Sequence, residues 1–245
     1  MFHRRAILAA TVLSGLTVSM HAQINGYAQV SALAGNTITL GTVNETYGSF
    51  EDGDRAILMQ MQDDVIGGNI VNNVSFGNLN SISSAGIWEV VSISTHTETA
   101  GVPVTITTGA PPTYTYHFGP KCSVQLISFQ DRGSPDWTTS AAINALPWDG
   151  TLGGVVALKV GGTLTLANDI RADGSGFRPG ATSNDFLSAC VTNTYTATIA
   201  NYGQKGEGIQ RQDPVADRYA RGKFANGGGG GNSYRAGGGG GVDAA

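Results

Sequence analysis

The sequence predicts an all-β protein: a small antiparallel β-barrel or sandwich, followed by a β-helix-like segment and a glycine-rich tail. Three observations carry this. Short runs that alternate apolar with polar residues recur through the first half, and few stretches repeat at the 3.6-residue helical period. Glycine supplies 36 residues while charged side chains make up only 13%, a balance that favours short strands joined by tight turns. Two five-glycine runs, Gly227–Gly231 and Gly237–Gly241, flank the polar spacer Asn232–Ala236 near the end. Such runs have no side chains to bury, so they order only where close backbone packing or a scaffold holds them.

Taken in order, residues 1–22 read as a secretory signal. Arg4 and Arg5 precede an apolar stretch from Ala6 to about Val18, and Ser19-Met20-His21-Ala22 places the cut before Gln23. The apolar stretch is shorter than the roughly 18 to 20 residues that span a bilayer. No later segment reads as a membrane span, and Gln23 stands where a lipoprotein would carry cysteine. Residues 23–130 read as one antiparallel domain. Tyr27–Leu33, the turn Ala34-Gly35-Asn36 and Thr37–Leu40 make a hairpin, and Asp52-Gly53-Asp54 turns into the alternating strand Arg55–Gln62. Ile87–Ile93 and Val102–Thr107 loosely repeat the first hairpin, as a duplicated small barrel or sandwich would, and Cys122–Phe129 alternates as a last strand.

Residues 131–147 read as a linker marked by Pro135 and Pro147, with Ser140–Leu146 suited to a short helix. Within 148–200, strands at Gly153–Val160, Thr163–Leu166 and Ile170–Asp173 are punctuated by Gly161-Gly162, Asn168-Asp169 and Gly174-Ser175-Gly176. Apolar triplets between tight turns are the pattern of successive faces of a parallel β-helix. Arg178–Asn201 reads as a polar insertion, and residues 201–245 as the glycine-rich tail.

Removing the signal takes away Arg4 and Arg5 and moves the formal charge from −4 to −6, which argues against a nucleic-acid partner. Cys122 and Cys190, the only cysteines, are candidates for one disulfide in an exported chain, provided their Cα atoms approach within roughly 7 Å.

Catalytic machinery is hard to assemble from these residues, and the chain reads as no enzyme, without cofactor or metal. His3 and His21 fall in the signal, and His96 and His117 stand singly as surface or edge-strand residues. No Gly-x-Ser-x-Gly, His-Glu-x-x-His or Cys-x-x-Cys spacing occurs. Gly203–Gly208 lacks the P-loop spacing. Carboxylates sit at Asp63, Asp64, Asp149, Asp169 and Asp173. Asp169 and Asp173 suit acid/base or Ca²⁺ work on a β-helix face, although aspartate beside turn glycines and asparagines ordinarily caps turns. Tyr114, Tyr116 and Phe118 alternate and would share one strand face, either core or an outward platform on which sugar rings stack.

The motifs also recur in a recognisable order. Phe50–Gln62, then Trp148–Val155, Gly161–Leu166 with Ile170–Arg178, Lys205–Gly208 and the paired glycine runs resemble the N-terminal region of very large secreted Bacteroidetes proteins. Similar stretches occur in gliding-motility-associated and adventurous-gliding proteins, and the resemblance covers nearly all of residues 24 to 241. It implies an extracellular or cell-surface adhesive role with a surface, matrix or glycan ligand. Those proteins continue for many hundreds of residues to a C-terminal sorting domain, so residues to Ala245 are expected to be the first part of a longer adhesin, or a short relative that leaves the periplasm by another route or stays there. The alternative is a polysaccharide lyase or hydrolase using Asp169 and Asp173.

Overall fold

The computed structural model describes residues 21–63, 69–79, 81–182, 194–198, 202–210 and 217–232, and among these every regular element is a β-strand. In chain order they are β1 (His21–Ala22), β2 (Tyr27–Ala34), β3 (Thr37–Asn44), β4 (Arg55–Gln62), β5 (Trp88–Thr99), β6 (Val102–Thr108) and β7 (Ser123–Ser128). Shorter strands follow: β8 (Gln130–Asp131), β9 (Trp137–Thr138), β10 (Ala142–Asn144), β11 (Leu158–Lys159), β12 (Leu164–Thr165) and β13 (Ile170–Arg171).

Strands β2 to β7 close into a six-stranded antiparallel barrel in the order β2-β3-β6-β5-β4-β7, with β7 pairing back onto β2. The alternation in β4 explains its orientation. Ala56, Leu58, Gln60 and Gln62 are buried, whereas Ile57, Met59 and Met61 face outward and are partly covered. Ile38, Ile93, Ile106, Val124 and Leu126 fill the interior with Leu58. The barrel is a packed core, as small barrels are when side chains fill the taper.

The outer face of β2, β4 and β7 is buried as well. Tyr27 and Ile127 pack with Leu152 and Ala157, and Ile57 and Met59 join them, so every residue of β7 is buried. Residues 153–157 lie along this face as a pseudo-strand held by side-chain amides. Asn25 Nδ2 donates to Ser128 O and Ala157 O at 2.7 Å each, and its Oδ1 accepts from Ala157 N. Gln125 donates to Gly153 O and accepts from Gly153 N. Gly153 has φ +106°, and a Cβ there would meet Pro147 O at 2.6 Å, so the chain turns here only as glycine.

The Tyr27 hydroxyl donates to Val155 O at 2.5 Å, and burial raises its pKa. Tyr27→Phe keeps the ring and strands that carbonyl, so a loss of about 1.5 kcal/mol in urea denaturation is expected. An unchanged midpoint would mean that apolar contact alone docks residues 153–157.

Beyond the barrel the pairing turns parallel. β8, β9 and β10 pair with β11, β12 and β13, each partner lying 27 or 28 positions further on (Gln130↔Leu158, Trp137↔Leu164, Ile143↔Ile170), and β1 pairs with the other edge of β10. The chain thus passes twice over the same three short faces. This differs from expectation in two ways. Ser140–Leu146 is no helix: Ala142–Asn144 is β10, because β-branched Ile143 is buried at 3% and pairs in parallel with Ile170 of β13. The stretch expected to act as a linker supplies the first pass, and the strands expected between Gly153 and Asp173 pair with it rather than with each other.

The first glycine run is packed. Residues 203–208, 218–220 and 227–231 each hydrogen-bond to the other two. Gly203 N and Gly206 N donate to Gly231 O and Gly228 O, Ala220 N donates to Gly203 O, and Gly230 N donates to Ala220 O. The two donors to the glycine run, Gly203 and Gly206, stand three residues apart. The backbones approach too closely for side chains: a Cβ on Gly230 would sit 1.9 Å from Gly203 O, and one on Gly203 would sit 2.5 Å from Gly231 N. The second glycine run lies outside the described residues, as do the signal up to Met20, Asp64 and Cys190.

Candidate functional site

The densest polar constellation lies where β4 leaves the barrel. Asp63 follows β4 directly and is fully buried, its backbone N–H donating to Ile209 O at 3.0 Å. Its Oδ2 accepts the Ser84 amide at 3.0 Å and the Nδ1–H of His117 at 2.8 Å. Gln60, also fully buried, fixes the backbone of His117 from both sides, accepting from His117 N and donating to His117 O. The inward alternation of β4 delivers Gln60 and Gln62 to this end of the barrel. Gln62 donates to Gly208 O at 2.7 Å and accepts from Ser123 at 3.2 Å. Cys122 Sγ lies 3.9 Å from Asp63 Oδ1. A cleft of about 250 Å³ opens beside the cluster, lined by His117, Phe118, Cys122 and Gln29 among others.

A buried carboxylate that holds one imidazole nitrogen leaves the other ring nitrogen oriented, which suits hydrogen bonding or proton transfer. The expectation that His117 stands alone is therefore corrected. Its partner lies 54 positions earlier, and no local pattern announces it. His96 has a partner too: Asp52 Oδ1 at 2.7 Å, a hydrogen bond that raises its pKa.

The three aromatic residues do not share a strand face. Residues 111–121 form no strand, which removes the alternation that would align the rings. Tyr116 points into the barrel, 6% exposed, with its hydroxyl donating to Leu58 O at 3.3 Å and to Glu89 at 3.1 Å. Burial beside Glu89 pushes that phenol far up. Tyr114 and Phe118 are 50% and 36% exposed. A three-ring platform is thus reduced to two separate rings. The expected disulfide between Cys122 and Cys190 falls outside the described residues at Cys190; Cys122 is buried.

The carboxylates expected on the parallel faces are dispersed. Asp169 is ion-paired with Arg171, both largely exposed, and Asp149 accepts the amides of Thr151 and Leu152, which is ordinary turn chemistry. Asp173 lines a cleft with Arg171, Ser175 and Asn144. No group of three metal-ligating side chains occurs among the described residues.

A buried lysine and a half-buried glutamate fasten the later passes together. Lys205, 1% exposed, donates to Asp217 O at 2.8 Å and Tyr219 O at 2.5 Å, with its ammonium 4.5 Å from the centre of the Phe76 ring. Burial pushes its pKa down to about 8, and the Asp217 charge pulls the other way. Glu207 accepts from Arg178 Nε and N and from Trp148 Nε1, joining three successive passes. Burial alone would raise the Glu207 carboxyl, but the Arg178 guanidinium and these donors hold it below its ordinary range. A depressed carboxylate contributes stability above its unfolded pKa, near 4.5, and loses it as pH falls through the folded value. Denaturation at neutral pH should therefore cost Glu207→Gln about 2 kcal/mol relative to wild type. The gap should shrink below pH about 4, and a gap independent of pH would rule out the ionic contribution.

Comparison with protein-family models, with curated proteins and with solved structures finds no match for this chain.

Proposed function

We propose that the chain is an exported, non-enzymatic module that serves attachment or architecture at the cell surface, as the first part of a larger adhesin. In this reading the parallel passes are the opening turns of a β-helix-like shaft seated on the barrel, and the glycine-rich region continues that shaft. The observation that carries it is the packing of Gly227–Gly231 by backbone hydrogen bonds with 203–208 and 218–220. A layer built from main chain alone offers extension and stiffness rather than a reaction site. Support also comes from the parallel register at 27 or 28 residues, which stacks further chain without a new design. Tyr114 and Phe118 are the exposed rings available to a glycan.

The test is accessibility in the native host. Protease added to whole cells should cleave the chain, and its intact mass in the envelope fraction should exceed that of residues 23–245. A chain protected in intact cells with residues 1–22 still attached would overturn the proposal.

A further inference from the structure

We propose that the cleft beside Asp63 and His117 binds a single neutral sugar ring. His117 Nε2 accepts one sugar hydroxyl, the Gln29 amide bonds a second, and Phe118 is the wall on which the ring stacks. This deepens the glycan reading of Phe118 given above and rests on it.

The observation that carries it is an imidazole fixed by buried groups at one nitrogen and left open at the other. Gln60 and Asp63, both fully buried, clamp the His117 main chain and hold its Nδ1 at 2.8 Å. Nε2 has no partner among the described residues and is open to solvent, on a side chain 28% exposed. With the Nδ1 proton donated to Asp63, the neutral ring presents Nε2 as an acceptor. A ligand that meets it must therefore bring a donor. A group oriented in advance loses little entropy on binding.

The barrel makes the cleft. β2 and β7 pair only as far as Val30 and Val124, and both residues line the opening where the strands part. Gln29 lines it too, with neither side-chain amide atom hydrogen-bonded among the described residues, so it offers both donors and an acceptor. The Ser31 hydroxyl donates to Thr39 O at 3.2 Å and keeps its lone pairs. Phe118, 36% exposed, adds an apolar ring face, the complement of the C–H face of a sugar. Charge narrows the ligand. No Asp, Glu, Lys or Arg lines the cleft, so an anion finds no counter-charge and meets the buried Asp63 carboxylate behind His117. A quaternary cation is held by a cage of rings, and here one ring lines the opening. A metal ion needs several ligands, and no group of three occurs among the described residues. Hydroxyls, which donate and accept, match this lining. Size agrees: about 250 Å³ falls below the roughly 300 to 1,000 Å³ of drug-sized sites and suits one ring.

The experiment is NMR titration of the purified chain, in EDTA, with the methyl glycosides of glucose, galactose and mannose, and with glucuronate and choline as charged counterparts. At least one neutral glycoside should bind with a Kd of about 1 mM, the level a single small ring reaches, and should shift the His117 Nε2 resonance. Gln29→Ala should weaken that binding about fivefold and Phe118→Ala about tenfold. Failure of all three neutral glycosides to bind, or tighter binding of glucuronate or choline, would overturn the proposal. A glycoside that leaves the His117 signal unmoved and binds Gln29→Ala as tightly as wild type would sit on the surface rings: the cleft assignment would fall and the glycan reading would stand. Where Phe118→Ala melts lower than wild type, Gln29→Ala and the His117 signal decide. Export plays no part in this assay, so its failure is separate from failure of the cell-surface reading.

Discussion

Gly230→Ala is expected to open the glycine layer locally while the barrel stays folded, at a cost of about 3 kcal/mol for the layer. The new methyl would lie 1.9 Å from Gly203 O and 2.8 Å from Ala220 O, both main-chain atoms that no rotamer change relieves. The three segments must then part, breaking Gly230 N to Ala220 O and Gly203 N to Gly231 O. Hydrogen exchange reads this directly, because the amides of Gly203 and Gly206 should lose protection while those of β4 and β7 keep theirs. Gly176→Ala is the control. Its added methyl meets nothing within 4 Å, so stability should hold or rise by a few tenths of a kcal/mol through the less flexible unfolded chain. Equal protection in wild type and Gly230→Ala would mean that the glycine run is not packed.

Asp63→Ala should cost about 3 kcal/mol, since it leaves the Ser84 amide and the His117 imidazole without their buried acceptor. The effect should be shared with His117. In a double-mutant cycle with His117→Ala, a coupling of about 1 kcal/mol or more is expected, whereas additive single effects would dissolve the pair. Nitrogen-detected NMR provides a second check, because Nδ1 of His117 should carry the proton in wild type and lose that preference in Asp63→Asn.

Period-two patterning made the barrel strands legible. Arg55–Gln62 stands as expected, and Tyr27–Leu33, Val102–Thr107 and Cys122–Phe129 each fall within a residue or so of β2, β6 and β7. The choice between barrel and sandwich was not legible. It depends on β7 sitting between β2 and β4, and alternation reports a strand's faces without naming its neighbours. The first parallel pass escaped notice because β8 and β9 are two residues long and β10 is three, too short to alternate. The Tyr114, Tyr116, Phe118 spacing misled for the converse reason: alternation implies a shared face only in extended chain, and Tyr116 is instead drawn inward by Leu58 O and Glu89. The Asp63 and His117 pair had no local signal, being made by the junction of β4 with a loop before β7.

The position of β7 also governs how the chain can reach this fold. Hairpins β2–β3 and β5–β6 close over short connections, but β2 and β4 each lack a neighbour until Ser123–Ser128 has been made. The Asn25 bond to Ser128 O spans 103 positions. The entropy of closing so long a loop grows only slowly with length, yet it must be met before the contacts that reward it form, which places β7 docking late and makes it slow. A chain arrested before Ser123 therefore presents two unpaired edges rather than a smaller barrel, a form prone to aggregate. Because residues 153–157 then seal the outer face of β7, the shortest piece expected to refold alone ends beyond Ala157.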